Sequence, residues 1–407
     1  MPPTTRVAAV AVGTVVLALG LGLGLGLGLR DKSESTQASS TTTSAAAECP
    51  VCPTPTPTQG CPSTTTEECP ICPTTISTST TSSTTTTTLT ACEQERAADE
   101  GGKAKLTDLT ISAAVKGYLG IDDGLRTIVK ALYGNSINTW DVSEVTDMQS
   151  VFEDQSGFNE PLNCWDVSRV TNMNSMFRGA ENFNQDISNW VVSRVTNMNS
   201  MFRFAFEFNQ DISNWDVSEV TDMSSMFNTA AAFNQDISGW MFSKVMDMNR
   251  MFNTAAVFNQ DISNWVVSEV TDMSWMFHQA YEFNQDISNW DVSNVTDMSF
   301  MFAFAFELNQ DISGWVVSKV TDMGGMFFHA RAFDQDISNW DVSKVTDMTQ
   351  MFREANDFNQ NLCAWGDKLE PPTSVSSMFS TPNGPCESSS DPVLAANPPG
   401  PFCAICN

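Results

Sequence analysis

Apolar and polar positions recur with a fixed period through residues 140–364. Trp140, Trp165, Trp190, Trp215, Trp240, Trp265, Trp290, Trp315, Trp340 and Trp365 fall 25 residues apart without a slip. Repetition at that length marks stacked supersecondary units. In the unit beginning at Trp215, Trp215 and Val217 alternate with Asp216 and Ser218, which predicts a strand. Met223, Met226, Phe227, Ala230 and Phe233 then follow at steps of three and four, the spacing of one helix face. Thr221 stands where an N-cap belongs, and Asp222 after it suits the helix dipole. Asn234, Gln235 and Asp236 supply a turn, and Ile237 returns the chain to the interior. One unit cannot bury its own Trp, Met, Phe and Ile, whereas stacked units bury them in a column. The expected fold is an α/β repeat solenoid of nine 25-residue strand–helix units, with parallel strands on one side and helices on the other.

The flanks read differently. Residues 7–29 are an uncharged apolar run behind Arg6 and ahead of Arg30 and Lys32, so 1–32 is expected to be a signal anchor or transmembrane segment, with cleaved secretion the alternative. Gly20, Gly24 and Gly28 stand at the spacing that lets membrane helices pack closely. Residues 33–92 are rich in Thr, Ser and Pro and read as a disordered, O-glycosylated stalk. Cys49/Cys52 and Cys69/Cys72 have zinc-ribbon spacing, but no strands surround them and a signal sequence implies an oxidising compartment, so disulfides are expected. In residues 93–139, Leu106, Leu109, Ala113 and Leu119, then Leu125, Ile128, Val129 and Leu132, predict a helical N-terminal cap over the first unit. Residues 365–407 carry a degenerate last unit, with Met378-Phe379 shifted by two, and a Cys-containing tail. Cys363 and Cys386 bracket the place where the open core must be sealed, and Cys363 is expected to pair within residues 386–406, with Cys386 the first choice; Cys92 and Cys164 are a second candidate pair.

The segment Ile187-x-x-Trp190-x-Val192-x-x-Val195 resembles the leucine-rich-repeat core, with Val in place of the usual Asn. The longer pattern Phe-Asn-Gln-Asp-Ile-Ser-x-Trp-x-Val-Ser-x-Val-Thr-x-Met-x-x-Met-Phe resembles the BspA-like leucine-rich-repeat surface proteins, over about residues 140–380. The resemblance implies a leucine-rich-repeat-like solenoid at the cell surface, used for adhesion or recognition of a protein or glycan, and brings no catalytic residues. The first unit departs most, with Gln155 at the position of the repeated Ala and Glu160-Pro161 in place of Gln-Asp.

Composition narrows the chemistry. The net charge is −28, and residues 140–364 carry −22 of it, with 32 Asp and Glu against 10 Lys and Arg. That disfavours nucleic acid and anionic lipid as partners and favours cationic groups or bridging divalent ions. Asp186, Asp211, Asp236, Asp261, Asp286, Asp311 and Asp336 form a column that offers Ca²⁺ oxygen ligands, or else satisfies turn N–H groups. One strand-side column contains Asp216, Asp291 and Asp341 and is interrupted by Val191, Met241, Val266 and Val316; an unbroken Ser column beginning at Ser143 runs beside it. The two histidines, His278 and His329, occupy different positions two units apart and suggest no Ser–His–Asp or metal constellation, so the chain is read as non-catalytic. A Thr column containing Thr146, Thr171 and Thr196 and broken by Met246 supports the alternative of a coat, mineral-, ice- or matrix-organising solenoid. On the predicted outer helix face, Trp275, Phe300, Phe304 and Phe328 come from three adjacent units and are expected to converge as a partner or self-association site.

Overall fold

The computed structural model describes residues 90–99, 104–120, 122–369, 372–380, 391–394, 400 and 402–403. The expected anchor, nearly all of the stalk with Cys49, Cys52, Cys69 and Cys72, and Cys386 lie outside the described residues. No helix among the described residues is long and apolar enough to cross a membrane.

The N-terminal end is helical. Helix α1 spans Ala91–Ala98, so it begins inside the stretch read as stalk. Its start is fixed locally. Thr90 accepts from the Glu93 N–H at 3.3 Å, and Glu93 accepts from the Thr90 N–H at 2.8 Å, a reciprocal capping box. Helices α2 (Ile111–Leu119) and α3 (Asp123–Tyr133) pack together where Gly117 lies against Val129 and Leu125. Asp122 caps α3 by accepting from the N–H groups of Gly124 and Leu125. The buried residues of α2 are Ile111, Ala114, Val115, Gly117 and Tyr118, so Ala113, expected to face the core, is exposed. On α3 only Val129 is buried, and Leu125, Ile128 and Leu132 stay exposed, as does Leu109 before α2. The helical period was legible, but its phase against the stack was not.

Three ties fasten this end to the first units. Cys92 and Cys164 form a disulfide across 72 residues. Arg96 Nη2 donates to the Cys164 carbonyl at 2.6 Å. Asp108 accepts from Thr146 N–H, Thr146 Oγ1 and Asp147 N–H at 2.7–3.0 Å, satisfying donors that later units direct to a preceding neighbour.

The repeated units are stacked coils with a different backbone from the expected one. Among the described residues from 140 to 362 there is neither an α-helix nor a multi-residue strand. Each coil joins the next through a single parallel bridge, as in Asp222↔Asp247 and Asp247↔Asp272. Strand pairing was expected at Trp-x-Val but falls at the residue seven after Trp. Where a helix was expected, alternate N–H groups leave the coil. Met298, Phe300, Phe302 and Phe304 donate to carbonyls of Asp322, Gly324, Met326 and Phe328, one coil on. The intervening residues close tight turns, as in Met301 N–H to the Met298 carbonyl and Ala303 N–H to the Phe300 carbonyl. Steps of three in the apolar pattern therefore record consecutive turns. A helix of this length is marginal in isolation, and the neighbouring coil offers its N–H groups partners that an i→i−4 ladder would forfeit. The alternation requires a left-handed residue at the tenth and fourteenth positions after each Trp, such as Ser225 (φ 58°) and Thr229 (φ 64°). Only Gly179 and Gly325 are glycines at those positions, which is why composition did not reveal them.

Inside the stack each repeated apolar position makes a column. Phe277, Phe302 and Phe327 lie 5.8 and 5.9 Å apart with nearly parallel planes, and Phe302 carries on to Trp315 at 6.2 Å. The tryptophans stack as well, Trp290 on Trp315 at 6.4 Å and Trp315 on Trp340 at 6.4 Å. From Trp165 to Trp365 each Trp of the 25-residue series reaches back with its indole N–H to the previous coil, as Trp290 Nε1 does to the Ile262 carbonyl at 3.1 Å. The Phe-Asn-Gln motif is an inter-coil clamp. Asn259 Oδ1 accepts from the Asn284 N–H at 3.0 Å and from Gln285 Nε2 at 2.9 Å. Thr hydroxyls donate to the Thr carbonyl one coil back, as Thr321 does to Thr296 at 3.1 Å. The coil holding Met241 and Met246 breaks the regularity, because Phe242 sits edge-on between Trp240 and Trp265.

The C-terminal unit keeps its place despite the two-residue shift. Ser374 bridges Asp347, Phe379 stacks on Phe352 at 5.5 Å, and Asp391 accepts from the N–H groups of Ser377 and Met378. Cys363 and Cys403 are both disulfide-bonded.

Candidate functional site

The left-handed positions turn the tenth and fourteenth residues of each coil toward the outside of the stack, beside the thirteenth. In most coils they are Ser, Thr, Arg, Gln or Glu. In two adjacent coils three of them are Trp275, Phe300 and Phe304, and the next coil adds Phe328 at its thirteenth position; Phe204 stands three coils earlier. Trp275 (φ 61°) stacks on Phe300 (φ 53°) at 4.4 Å, and Phe304 (φ 60°) meets Phe328 edge-on at 5.2 Å. The four residues singled out from sequence thus converge, though from turns and not from helices. Phe300 leans over Gly325, where any Cβ would lie 2.4 Å from its ring, so the glycine opens the space that the ring fills.

Sequence reasoning missed what surrounds them. Both histidines belong to the patch: His278 lies 4.6 Å from Trp275 and 5.7 Å from Phe304, and His329 stacks on Phe304 at 4.6 Å. Three arginines cover rings, Arg250 over Trp275 at 5.3 Å, Arg331 over Phe306 at 4.3 Å and Arg353 over Phe328 at 5.7 Å. Phe306 also stacks on the exposed Tyr281 at 5.0 Å. His278, His329, Arg250 and Arg331 lie at no repeated His or Arg position, and Arg353 shares the thirteenth position with the distant Arg178 and Arg203, so the coil-to-coil register is what brings them together. Burial, and secondarily the Arg250 charge, pushes His278 down to about 4, so it is neutral near pH 7. Its Nδ1 lies 2.9 Å from Asn253 Oδ1, an acceptor, so that nitrogen carries the proton. His329 is also lowered by burial, although Glu354, 3.2 Å from its Nε2, opposes the shift.

The other candidates remain separate. Asp186, Asp211, Asp236, Asp261, Asp286, Asp311 and Asp336 each accept from the N–H of the Ser two residues on, at 2.9–3.0 Å. Hydrogen bonds from that Ser hold their carboxyls below the usual range. Asp216, Asp291 and Asp341 make the same turn with Ser218, Ser293 and Ser343 at 3.1–3.2 Å. Among the described residues, no three His, Cys, Asp or Glu side chains are grouped to hold a metal ion. The neighbouring mixed-charge column pairs within itself, Glu144 with Arg169 at 2.9 Å and Glu219 with Lys244 at 2.6 Å. A second acidic column went unread. Asp222, Asp247, Asp272, Asp297, Asp322 and Asp347 follow one another along the bridges, and burial together with adjacent carboxylates raises Asp247 and Asp322. Its sequence signal is the recurring Thr-Asp-Met, a pattern that also suits a helix start.

These coils define a repeat protein. The family described as "Mycoplasma protein of unknown function, DUF285" matches residues 126–240, 204–313 and 271–389 in three overlapping stretches that cover more than half of the chain, and the chain belongs to that family. No curated protein matches the chain.

Proposed function

We propose that the chain is a non-catalytic leucine-rich-repeat-like solenoid of BspA-like character, displayed at the cell surface or secreted, which recognises a protein or glycan through the aromatic patch. The observation that carries this reading is the occupancy of the left-handed positions. A left-handed conformation costs a non-glycine residue roughly 1–2 kcal/mol, and Ser, Thr, Gln and Arg fill the same backbone sites in other coils. The fold therefore sets the conformation at Trp275, Phe300 and Phe304 but does not require aromatic side chains there. Clustered, half-buried rings flanked by arginine are the composition of recognition hot spots. Sugar rings and planar peptide groups both suit such a surface. The location rests on the apolar run at 7–29 and the Thr- and Pro-rich stretch after it. For a solvent-ordering coat, the Thr column is a weaker basis, because its hydroxyl protons point to carbonyls of the preceding coil.

The test is binding of the purified chain to glycan and protein arrays, with and without Ca²⁺, beside the double substitution Trp275→Ser, Phe300→Ser. The variant should melt close to the parent and lose at least ten-fold in binding to any ligand found. Binding unchanged by the substitution would overturn the assignment of the patch.

A further inference from the structure

Charge on the outer turn face runs against the charge of the stack. In the coils beginning at Trp165 to Trp340, the tenth, thirteenth and fourteenth positions hold Arg178, Arg203, Arg250 and Arg353 against one carboxylate, Glu354, although residues 140–364 carry −22. Arg178 pairs with Glu153, and Arg353 comes within 3.9 Å of Glu354. Arg203, Arg250 and Arg331 make no ion pair among the described residues, in a chain with 48 acidic and 20 basic side chains. Glu207, Glu282 and Glu307, at the seventeenth position, bind none of the three. The three arginines cover rings instead: Phe204 at 4.8 Å, Trp275 at 5.3 Å and Phe306 at 4.3 Å. Arg203 Nε has no hydrogen-bond partner. Burial, then the nearby Arg178 and Arg250, push Arg203 down, as happens where cations gather without a counter-charge. Arg203 and Arg250 are two coils apart, about 10 Å of stack. The coil between them offers only Ser225, Asn228 and Thr229 at these positions, so no bulky side chain closes the gap.

We propose, on the reading that the aromatic patch is a recognition site, that its ligand is an acidic polysaccharide lying along the stack. Its sugar faces rest against Trp275 and Phe300, and its carboxylate or sulfate groups meet Arg203, Arg250 and Arg331. A sugar ring carries C–H groups on its face and hydroxyls at its edge, which suits stacked rings beside amide and hydroxyl side chains such as Asn228 and Thr229. The guanidinium fork takes an oxyanion by paired hydrogen bonds. Phe204 stands four coils before Phe304, about 19 Å at the spacing of stacked strands, a length that a polymer spans and a single sugar does not. An acidic peptide lacks the ring faces. Nucleic acid is disfavoured because its dense charge would meet few cations in an acidic stack.

The experiment uses the full-length chain in mild detergent, with hyaluronan, polygalacturonate and dextran sulfate immobilised for interferometry. The first two carry carboxylates only and the third sulfates only, so the three tell which anion is taken. The parent should bind at least one of them. It should bind the uncharged counterpart, carboxyl-reduced or unsulfated, about ten-fold more weakly, a comparison that needs no variant. Arg203→Gln and Arg250→Gln should each cost about ten-fold, while Arg194→Gln, which removes the same charge from the strand-side column, should cost less than about two-fold. Binding to none of the three polymers, equal binding of charged and uncharged forms, or equal binding of polyglutamate overturns the proposal. So does loss of binding in Trp275→Ser, Phe300→Ser with none in the two arginine variants, which leaves the patch as a recognition site and removes its charge preference. Binding that survives Trp275→Ser, Phe300→Ser overturns the patch reading itself and this proposal with it.

Discussion

The helical end and the stacked coils solve the same problem at different ranges. In α1 and α3 the N–H groups at the helix starts are satisfied by side chains two or three residues away, Thr90 and Asp122. In the coils the partner is 25, 26 or 28 residues away, for a Thr hydroxyl, a Gln amide and an indole N–H in turn. A local element can form on its own signals and dock afterwards. A coil has almost no regular structure of its own and takes its conformation from its neighbours. Substitutions in the stack should therefore be felt cooperatively along it, and those in the helical end should remain local.

The largest expected effect is on the ring columns. Phe302→Ala should destabilise the chain by about 3–5 kcal/mol, because the vacated space lies between two fixed rings, whereas Thr127→Ala on the exposed side of α3 should stay within about 0.5 kcal/mol. Urea unfolding followed by tryptophan fluorescence reads both. Comparable losses from the two would mean that the stack is no more interdependent than the helices.

Next is the tie between the two regions. Cys164→Ser opens the Cys92–Cys164 disulfide and should cost roughly 2–4 kcal/mol. Amide hydrogen exchange should quicken in α1 to α3 while the coils from Trp240 onward keep their protection. Uniform loss of protection across all coils would show that the helical end is needed for the stack to exist at all.

The smallest effect is acid sensitivity within the patch. A free histidine titrates near 6.5, and His278 is held down to about 4 by burial. The unfolded chain then binds the proton more readily, so the contribution of His278 is complete above about pH 6.5 and is lost as the pH falls toward 4. Its full size is about 1–3 kcal/mol. Asp247 and Asp322, raised by burial, act in the opposite sense, since acidification relieves the cost of keeping them charged. Comparing melts of the parent and His278→Gln at pH 7 and pH 4.5 separates the two. The gap between them should narrow at pH 4.5, and a gap independent of pH would place His278 in a wetter setting.

Much of this architecture was legible because repetition amplifies it. The 25-residue spacing of Trp, the identity of the buried positions and the turn role of Asp186 and its counterparts follow from side-chain chemistry repeated coil after coil. The capping of α3 by Asp122 was equally local. What the tertiary structure decided was where the backbone N–H groups go. An apolar pattern of threes and fours suits a helix or a run of turns, and only the presence of a next coil, with carbonyls facing Met298, Phe300, Phe302 and Phe304, selects the turns. The same register brought His278, His329, Arg250 and Arg353 to the four aromatic residues, a meeting of side chains up to 103 residues apart that no local spacing records. It also left Leu125, Ile128 and Leu132 in water, because periodicity tells which residues share a face but not whether anything lies against that face.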